Sequence, residues 1–241
     1  MAQLGRYRSE GQKDRALLRD QFLQDTPSEF VADNPFLFSS REQINETLCR
    51  IELFQKILTV SGAIVECGVA QGNGLMLMSY LSLTHEPYAL NRKVIGFDSF
   101  QGFRSLGEND PGDLSESDFS SVSLDRLKEA ESLYDCDRPL NHIPRVEIVP
   151  GDATSTIPEY AASHPELSIA LLYLDFDIYE PTKAALEHLL PLVCRGGIVV
   201  LDEFNYDKFP GETQALKDVM KIEEVELRRF PYAPFLAYFK R

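Results

Sequence analysis

Five short apolar runs, each ending at or just before an acidic residue, constrain the fold of this 241-residue chain more than any other feature. The runs lie at residues 63–66, 93–98, 145–149, 169–175 and 197–202, and segments with helical spacing lie between them. Short β-branched runs without alternation are typical of strands buried on both faces of a parallel sheet. Their alternation with helices predicts a Rossmann-like, doubly wound α/β fold.

Two further apolar runs follow near the end of the chain, at residues 225–230 and 235–239. The turn at 231–234 that joins them begins and ends with proline, which interrupts both strand and helix. Such a turn suits an antiparallel hairpin at the edge of the sheet. We therefore predict a mostly parallel, seven-stranded sheet with an antiparallel edge hairpin.

The acids that close the five runs predict where a ligand would bind. The carboxyl ends of parallel strands meet at one edge of the sheet, and open α/β folds bind ligands at that edge. Strand-end acids can also cap neighbouring helices, but five of them at one edge favour a functional site. These acids are Glu66, Asp98, Asp152, Asp175 and Asp202.

The turn after the first run carries glycines at 68, 72 and 74 and leads into a helical pattern. Glycine allows positive φ and a close approach of the backbone to a ligand, and a helix N-terminus attracts anionic groups. The spacing is not GxGxxG, and a glycine-rich turn can also serve only to pack a helix on a strand. Asp98 lies one βαβ unit later, where a carboxylate binds ribose hydroxyls, so the two features together favour an adenosine site.

The chain length favours one domain, which we assign to residues 41–241, preceded by an N-terminal arm at 1–40 with a helix at 12–23. The acidic, serine-rich stretch within 101–145 is longer than a crossover needs and resembles a lid, although a plain surface excursion fits it as well. Apolar residues at 30–31 and 36–38 lie outside the predicted core. We expect them to pack on the domain or on a second copy, giving a homo-oligomer.

The formal charge of −14 argues against nucleic acid and anionic membranes as partners. The four cysteines, Cys49, Cys67, Cys136 and Cys194, have no spacing typical of a metal site, which favours reduced thiols. The first residues lack the apolar core of a signal peptide, and no run of about 18 apolar residues would span a membrane. These features predict a soluble, cytoplasmic protein.

Five motifs taken in order resemble the macrocin O-methyltransferase family, whose members are class I S-adenosylmethionine (SAM)-dependent sugar methyltransferases of natural-product biosynthesis. The resemblance extends over about 62–215. It rests on GAIVECGVAQGNG (62–74), GFDSFQGF (96–103), GDATSTIP (151–158), LDFDIYEPTKAAL (174–186) and GGIVVLDEF (196–204). The last two motifs, in this order and at this separation, are the specific ones.

The resemblance implies a SAM site in which residues 66–73 hold the methionine portion. Asp98 and Ser99 would hold the ribose, and Asp152 with Ala153 the adenine. The implied cofactor-binding residues are Glu66, Gly68, Val69, Ala70, Gly72, Asn73, Asp98, Ser99, Asp152 and Ala153.

The resemblance also implies a divalent cation, Mg²⁺ or another, held by Asp175, Asp202 and Glu203. Asp177 would be the general base. The chain departs from the family pattern at Glu203, where a second aspartate is usual, and at Phe204, where tyrosine is usual. The implied acceptor is a hydroxyl of a deoxysugar, either nucleotide-linked or attached to a natural product.

Two alternatives share part of this pattern. An NAD-dependent oxidoreductase would use a glycine-rich turn and a ribose acid, but the glycine spacing and the lack of a Tyr-xxx-Lys pair in the expected half disfavour it. A SAM-binding protein without catalysis would not need Asp175, Asp177 and Asp202 together. Titration with SAM and with NAD distinguishes a methyltransferase from the oxidoreductase. An assay of methyl transfer distinguishes it from the non-catalytic SAM-binding protein.

Overall fold

The computed structural model describes residues 9–120 and 123–241 of the chain. The chain divides into two compact units, Met1–Leu48 and Cys49–Arg241. The eight α-helices of the described residues are α1 (Glu10–Gln24), α2 (Ser28–Asp33), α3 (Arg41–Ile57), α4 (Asn73–His85), α5 (Leu124–Cys136), α6 (Ala153–Ser163), α7 (Tyr179–His188) and α8 (Gly211–Val219). The strands are β1 (Ala63–Cys67), β2 (Val94–Asp98), β3 (Val146–Pro150), β4 (Ile169–Leu174), β5 (Val193–Leu201), β6 (Arg228–Phe230) and β7 (Ala233–Lys240).

The first unit contains α1, α2, a 3-10 turn at Pro35–Leu37 and the first half of α3. Ser9 and Gln12 form a reciprocal capping box that starts α1. The guanidinium of Arg15 donates to the carbonyls of Phe38 and Ser39, and the ring of Phe22 lies 5.0 Å from that of Phe38. These contacts tie the chain after α2 back to α1.

The sheet has the order β3-β2-β1-β4-β5-β7-β6. β1 to β5 pair in parallel, whereas β7 pairs antiparallel with both β5 and β6. The predicted fold class is thereby confirmed, including the antiparallel hairpin at the edge. The strand order reverses between β1 and β4, and that reversal opens the crevice in which doubly wound folds bind ligands.

Successive residues of each central strand pack on opposite faces of the sheet, because strand side chains alternate. Ile64 and Leu171 join an apolar cluster with the buried residues of α3, α4 and α5. Val65 and Leu172 join a second cluster with those of α6, α7 and α8. Because both faces are covered, the strands are apolar throughout, which is why the runs in the sequence do not alternate.

Threonine and serine are common helix caps, so the sequence predicts that Thr154 or Ser155 caps α6, but the structure differs. Asp152 is the N-cap, and its Oδ1 accepts from the backbone N–H and the hydroxyl of Thr154. A carboxylate at this position also interacts with the positive end of the helix dipole. Pro158 lies inside the helix rather than in its tolerant first turn, so the helix lacks one of its internal hydrogen bonds there.

None of the helices in the described ranges is both long and apolar enough to cross a membrane.

Candidate functional site

The strand-end acids lie at one edge of the sheet, as the pattern predicts. Asp98 is the last residue of β2, and Asp175 and Asp202 directly follow β4 and β5. Glu66 is the penultimate residue of β1, and Asp152 follows β3 after one glycine. The elements therefore bring all five predicted acids to the carboxyl edge, on both sides of the crevice between β1 and β4.

The carboxylate of Asp98 holds the glycine-rich turn. Its Oδ2 accepts from the backbone N–H groups of Val69 and Ala70, both at 2.9 Å, and its Oδ1 accepts from that of Phe100 at 2.8 Å. A carboxylate has about four lone-pair positions, so one remains for a ligand hydroxyl. The turn itself requires glycine at Gly68, where φ is +93° and an added Cβ would lie 1.9 Å from the carbonyl oxygen of Asp175.

Ser99 and Asp152, assigned to the ribose and the adenine, also have protein partners. The hydroxyl of Ser99 donates to the carbonyl of Gly102 at 2.6 Å and accepts from the N–H of Gln101. The Oδ2 of Asp152 accepts from the hydroxyl of Ser105 at 3.0 Å. Both residues thus anchor the start of the 101–120 loop.

Arg50 of α3 is a buried cation that the sequence-based site omitted. Its Nη1 lies 2.7 Å from Oε1 of Glu66 and its Nη2 lies 3.7 Å from Oδ2 of Asp175, while its guanidinium stacks 4.0 Å above the ring of Tyr173. Gly74 makes room for this pair, because a Cβ there would lie 2.2 Å from Oε1 of Glu66. Arg50 therefore joins the end of β1 to the end of β4.

Burial acts to lower the pKa of Arg50, but the neighbouring Glu66 raises it above its ordinary value, so the guanidinium stays charged. Burial raises the pKa of Glu66, and Arg50 opposes that rise. The second oxygen of Glu66, Oε2, is buried and has no hydrogen-bond partner among the described residues. Glu66 thus retains an acceptor that a cationic or hydroxyl group of a ligand can use.

A cluster of acids lies on the other side of the crevice. The Tyr173 hydroxyl donates to Oδ1 of Asp202 at 2.5 Å. Asp177 lies between β4 and α7 in the left-handed conformation, with φ +64°, and Glu203 is buried. Oε2 of Glu203 has no hydrogen-bond partner within residues 9–120 and 123–241. This arrangement places the residue proposed as the base beside the residues proposed as cation ligands.

Glu212, the second residue of α8, is a further member of this cluster and is fully buried. Its Oε1 accepts from the N–H of Asp177 at 3.3 Å, and its Oε2 accepts from that of Glu203 at 3.2 Å. An acid in the first turn of an amphipathic helix is usually solvated and interacts with the helix dipole. The sequence around Glu212 therefore gave no signal for its burial.

Mutual repulsion and burial dominate the electrostatics of the cluster. Burial, followed by the charge of Asp202, raises the pKa of Asp177 to about 7. Burial, followed by the charges of Asp177 and Asp202, raises the pKa of Glu203 to about 11. The pKa of Asp175 is raised for the same reasons, although Arg50 opposes the rise. A bound cation would relieve this repulsion.

The donor chemistry of Asp175, Asp202 and Glu203 fits a hard divalent cation, which prefers carboxylate oxygens, and Glu203 has an unpaired buried oxygen to offer. Across the described part of the chain, however, no group of three or more acids, histidines or cysteines is already arranged as a metal cage.

The 101–120 loop reaches the acid cluster through Asp110. Its Oδ1 accepts from the N–H of Tyr179, the first residue of α7, at 2.8 Å, and its Oδ2 accepts from that of Gly107. α7 has no side-chain cap from its own N-cap residue, Ile178. Asp110 therefore caps α7 from the loop. The capped residue, Tyr179, is two residues after Asp177.

The whole chain resembles a solved enzyme of calicheamicin biosynthesis. It shares 32% identity and a TM-score of 0.91 with the crystal structure of the calicheamicin methyltransferase CalS11, and the match covers 100% of this chain and 97% of that one. A second structure of that protein, with a TM-score of 0.84, is described as TDP-rhamnose 3′-O-methyltransferase. The fold and this likeness define a SAM-dependent O-methyltransferase. The NAD-dependent alternative is thereby wrong.

The sequence matches the macrocin-O-methyltransferase (TylF) family over residues 41–228, and the chain belongs to that family. The resemblance inferred from the five motifs is thus confirmed. The family also covers Arg50 and Glu212, which the motifs did not include.

Two curated relatives from Streptomyces match a shorter part of the chain. One is 8-demethyl-8-(2,3-dimethoxy-alpha-L-rhamnosyl)-tetracenomycin-C 4′-O-methyltransferase of Streptomyces olivaceus, 28% identical over 61% of this chain and 55% of its own. The other is demethyldecarbamoylnovobiocin O-methyltransferase of Streptomyces niveus, 31% identical over 60% of this chain and 53% of its own. The matches span about half the length of these relatives.

Proposed function

We propose that this chain transfers a methyl group from SAM to a hydroxyl of a deoxysugar, nucleotide-linked or attached to a natural product, in secondary-metabolite biosynthesis. The observation that carries the proposal is the end-to-end likeness to CalS11, described as acting on TDP-rhamnose. The name of the Streptomyces olivaceus relative also includes a rhamnosyl group.

The cofactor half of the proposal uses the turn between β1 and α4. The methionine portion of SAM would lie against residues 66–73, the ribose would bind Asp98 through its remaining lone pair, and the adenine would lie near Asp152 and Ala153. The partner-free oxygen of Glu66 supports this role, because a buried acceptor is costly unless a ligand or water satisfies it.

Asp177 is the proposed general base. A sugar hydroxyl is a poor nucleophile at neutral pH, so the protein must orient it and accept its proton as the oxygen attacks. The O–C bond forms while the S–C bond of SAM breaks, and the proton passes to the Asp177 carboxylate. A base is most effective when its pKa is near the working pH, and burial, which a cation does not remove, raises the pKa of Asp177 in that direction.

Asp175, Asp202 and Glu203 are the proposed ligands of Mg²⁺ or a similar cation. When bound, the cation would polarise the acceptor hydroxyl and lower the cost of removing its proton. The crowding of these acids supports the assignment. Burial and mutual repulsion raise the pKa values of Asp175 and Glu203. Arg50 and Tyr173 would hold Asp175 and Asp202 in place through the contacts described above.

The experiment that tests the proposal incubates the protein with SAM and a panel of nucleotide deoxysugars and sugar-bearing natural products, with mass detection of a 14-Da gain (one CH₂). Parallel reactions contain Mg²⁺ or excess EDTA. Methyl transfer to a sugar hydroxyl supports the function, and loss of transfer in EDTA supports the cation. If the protein binds SAM but methylates none of the acceptors, the non-catalytic alternative is favoured.

The proposal includes a homo-oligomer and a cytoplasmic location. The first unit exposes large apolar side chains, including Phe36 at 76% and Leu37 at 60% of their surface. Apolar surface of this kind usually marks an interface. All four cysteines are free thiols, as expected in a reducing compartment.

A further inference from the structure

Glu212 is a buried acid to which neither the SAM site nor the proposed cation site assigns a role. Its two carboxylate oxygens accept from two different loops: Oε1 from the N–H of Asp177, after β4, and Oε2 from that of Glu203, after β5. Its side chain is fully buried at the N-terminus of α8. One side chain thus bonds to the loop of the proposed base and to that of the proposed ligands.

We propose that Glu212 is a positioning residue, which sets the distance between the proton-accepting carboxylate of Asp177 and the cation-binding carboxylates of Asp202 and Glu203. The inference rests on the proposed function. Glu212 does not touch the reacting atoms in this role. It acts through the backbone of the two loops.

The backbone of Asp177 needs such support. Its φ of +64° lies in the left-handed region, which aspartate tolerates better than most residues but which still places its Cβ close to the backbone, so contacts to the loop stabilise it there. The bond from its N–H to Glu212 is such a contact. Releasing this bond would let Asp177 turn away from the acceptor hydroxyl.

The packing around α8 places Glu212 between the two loops. A Cβ added at Gly211 would lie 2.6 Å from the N of Tyr179, so the start of α8 packs directly against the start of α7. A carboxylate suits this place because both of its oxygens accept. The amide of glutamine has one acceptor and one donor, so it satisfies one backbone N–H and opposes the other.

Thr213 provides a matched control on the same helix turn. Its hydroxyl accepts from the N–H of Asn205 at 2.7 Å, and Asn205 also has a positive φ, of +56°. Thr213→Val therefore removes a bond of the same kind, from the same helix to the same loop, but leaves Asp177 and Glu203 untouched.

The test compares Glu212→Gln and Thr213→Val with the parent by backbone amide exchange, SAM titration, Mn²⁺ titration and steady-state kinetics. In Glu212→Gln we expect faster exchange at 175–179 and 202–204, weaker Mn²⁺ binding and a fall in kcat of about 10²-fold. The Kd for SAM and the KM for the acceptor should stay near the parental values. Thr213→Val should change exchange only near 205.

Parental exchange at both segments in Glu212→Gln would overturn the inference, as would an equal effect of Thr213→Val on them. If Glu212→Gln does not fold, the same comparison uses Glu212→Asp, whose shorter arm cannot reach both amides, and parental exchange there again overturns it. A parent that neither binds Mn²⁺ nor transfers methyl would contradict the proposed function instead. Amide exchange would still decide whether Glu212 holds the loops.

Discussion

The carboxylate of Asp98 combines two tasks at the scale of a single residue. It accepts three backbone hydrogen bonds, from Val69, Ala70 and Phe100, and so fixes the turn on which the proposed cofactor site depends. Its remaining lone pair is the one proposed to meet the ribose. The same side chain therefore shapes the site and contributes to binding.

Asp98→Ala should weaken SAM binding because it removes the ribose partner and leaves the N–H groups of the turn unpaired. A hydrogen bond to a charged group contributes roughly 1.5 to 3 kcal/mol, which corresponds to about a 10- to 150-fold rise in Kd. Calorimetric titration with SAM measures the Kd of the parent and of the variant. Gln101→Ala is the control, since the exposed side chain of Gln101 accepts from Arg104 within its own loop. Parental affinity in Asp98→Ala would refute the adenosine site.

Asp177→Asn should separate proton removal from binding. Asparagine tolerates positive φ and keeps the backbone N–H that Glu212 accepts, so the loop should retain its shape. Loss of the base should lower kcat by about 10²- to 10⁴-fold, with SAM and Mg²⁺ binding retained. Asp175→Asn is the matched comparison and should also lose stimulation by Mg²⁺. Near-parental turnover in Asp177→Asn would remove the base assignment.

The five strand-end acids were predictable because each lies at the end of an apolar run or within a few residues after it. Arg50 was predictable in principle, since Leu53, Phe54 and Ile57 follow it at helical spacing and place it on the buried face of α3. Glu212 was not predictable, because its burial depends on the packing of the start of α8 against the start of α7. Local spacing does not encode such a tertiary contact.

At the scale of elements, loops rather than strands decide how the site is held. The strands and helices followed from their periodicity, but the caps depended on which acceptor reaches the helix end. Asp152 caps α6 in place of the expected hydroxyls, and Asp110 caps α7 from about 70 residues away in the chain. The second contact is non-local, so the sequence could not predict it.

Asp110→Ala should loosen the 101–120 loop and the start of α7 together. Loss of a helix cap costs about 1 kcal/mol, with a range of roughly 0.5 to 2, and should lower the Tm by about 2 to 4 °C for a domain of this size. Amide exchange at 105–118 and 177–181 should become faster, and the KM for the acceptor should rise if the loop acts as a lid. Glu108→Ala, which removes an exposed acid two residues earlier, is the control. Unchanged exchange in Asp110→Ala would show that Asp110 does not anchor the loop.

At the scale of the whole molecule, the hydrophobic pattern determined the sheet, whereas the surface of the first unit is the proposed site of assembly. The central strands are apolar on both faces because helices cover both. The first unit differs, because α1 buries no side chain and leaves Leu17 and Leu18 more than half exposed. The sequence indicated the apolar residues at 30–31 and 36–38 of this unit, but not the exposed leucines of α1.

Removing residues 1–38 should convert a homo-oligomer to a monomer, because the deletion takes away the exposed apolar groups of α1 and the 3-10 turn and leaves Ser40 to cap α3. Light scattering measures the mass in solution, and we expect the parent at a multiple of 27.3 kDa. The double variant Phe36→Ser/Leu37→Ser tests the same surface with the arm in place, and Lys13→Ser, at an exposed polar position of α1, is the control. A monomeric parent, or an oligomer that survives both the deletion and the double variant, would exclude the arm as the interface.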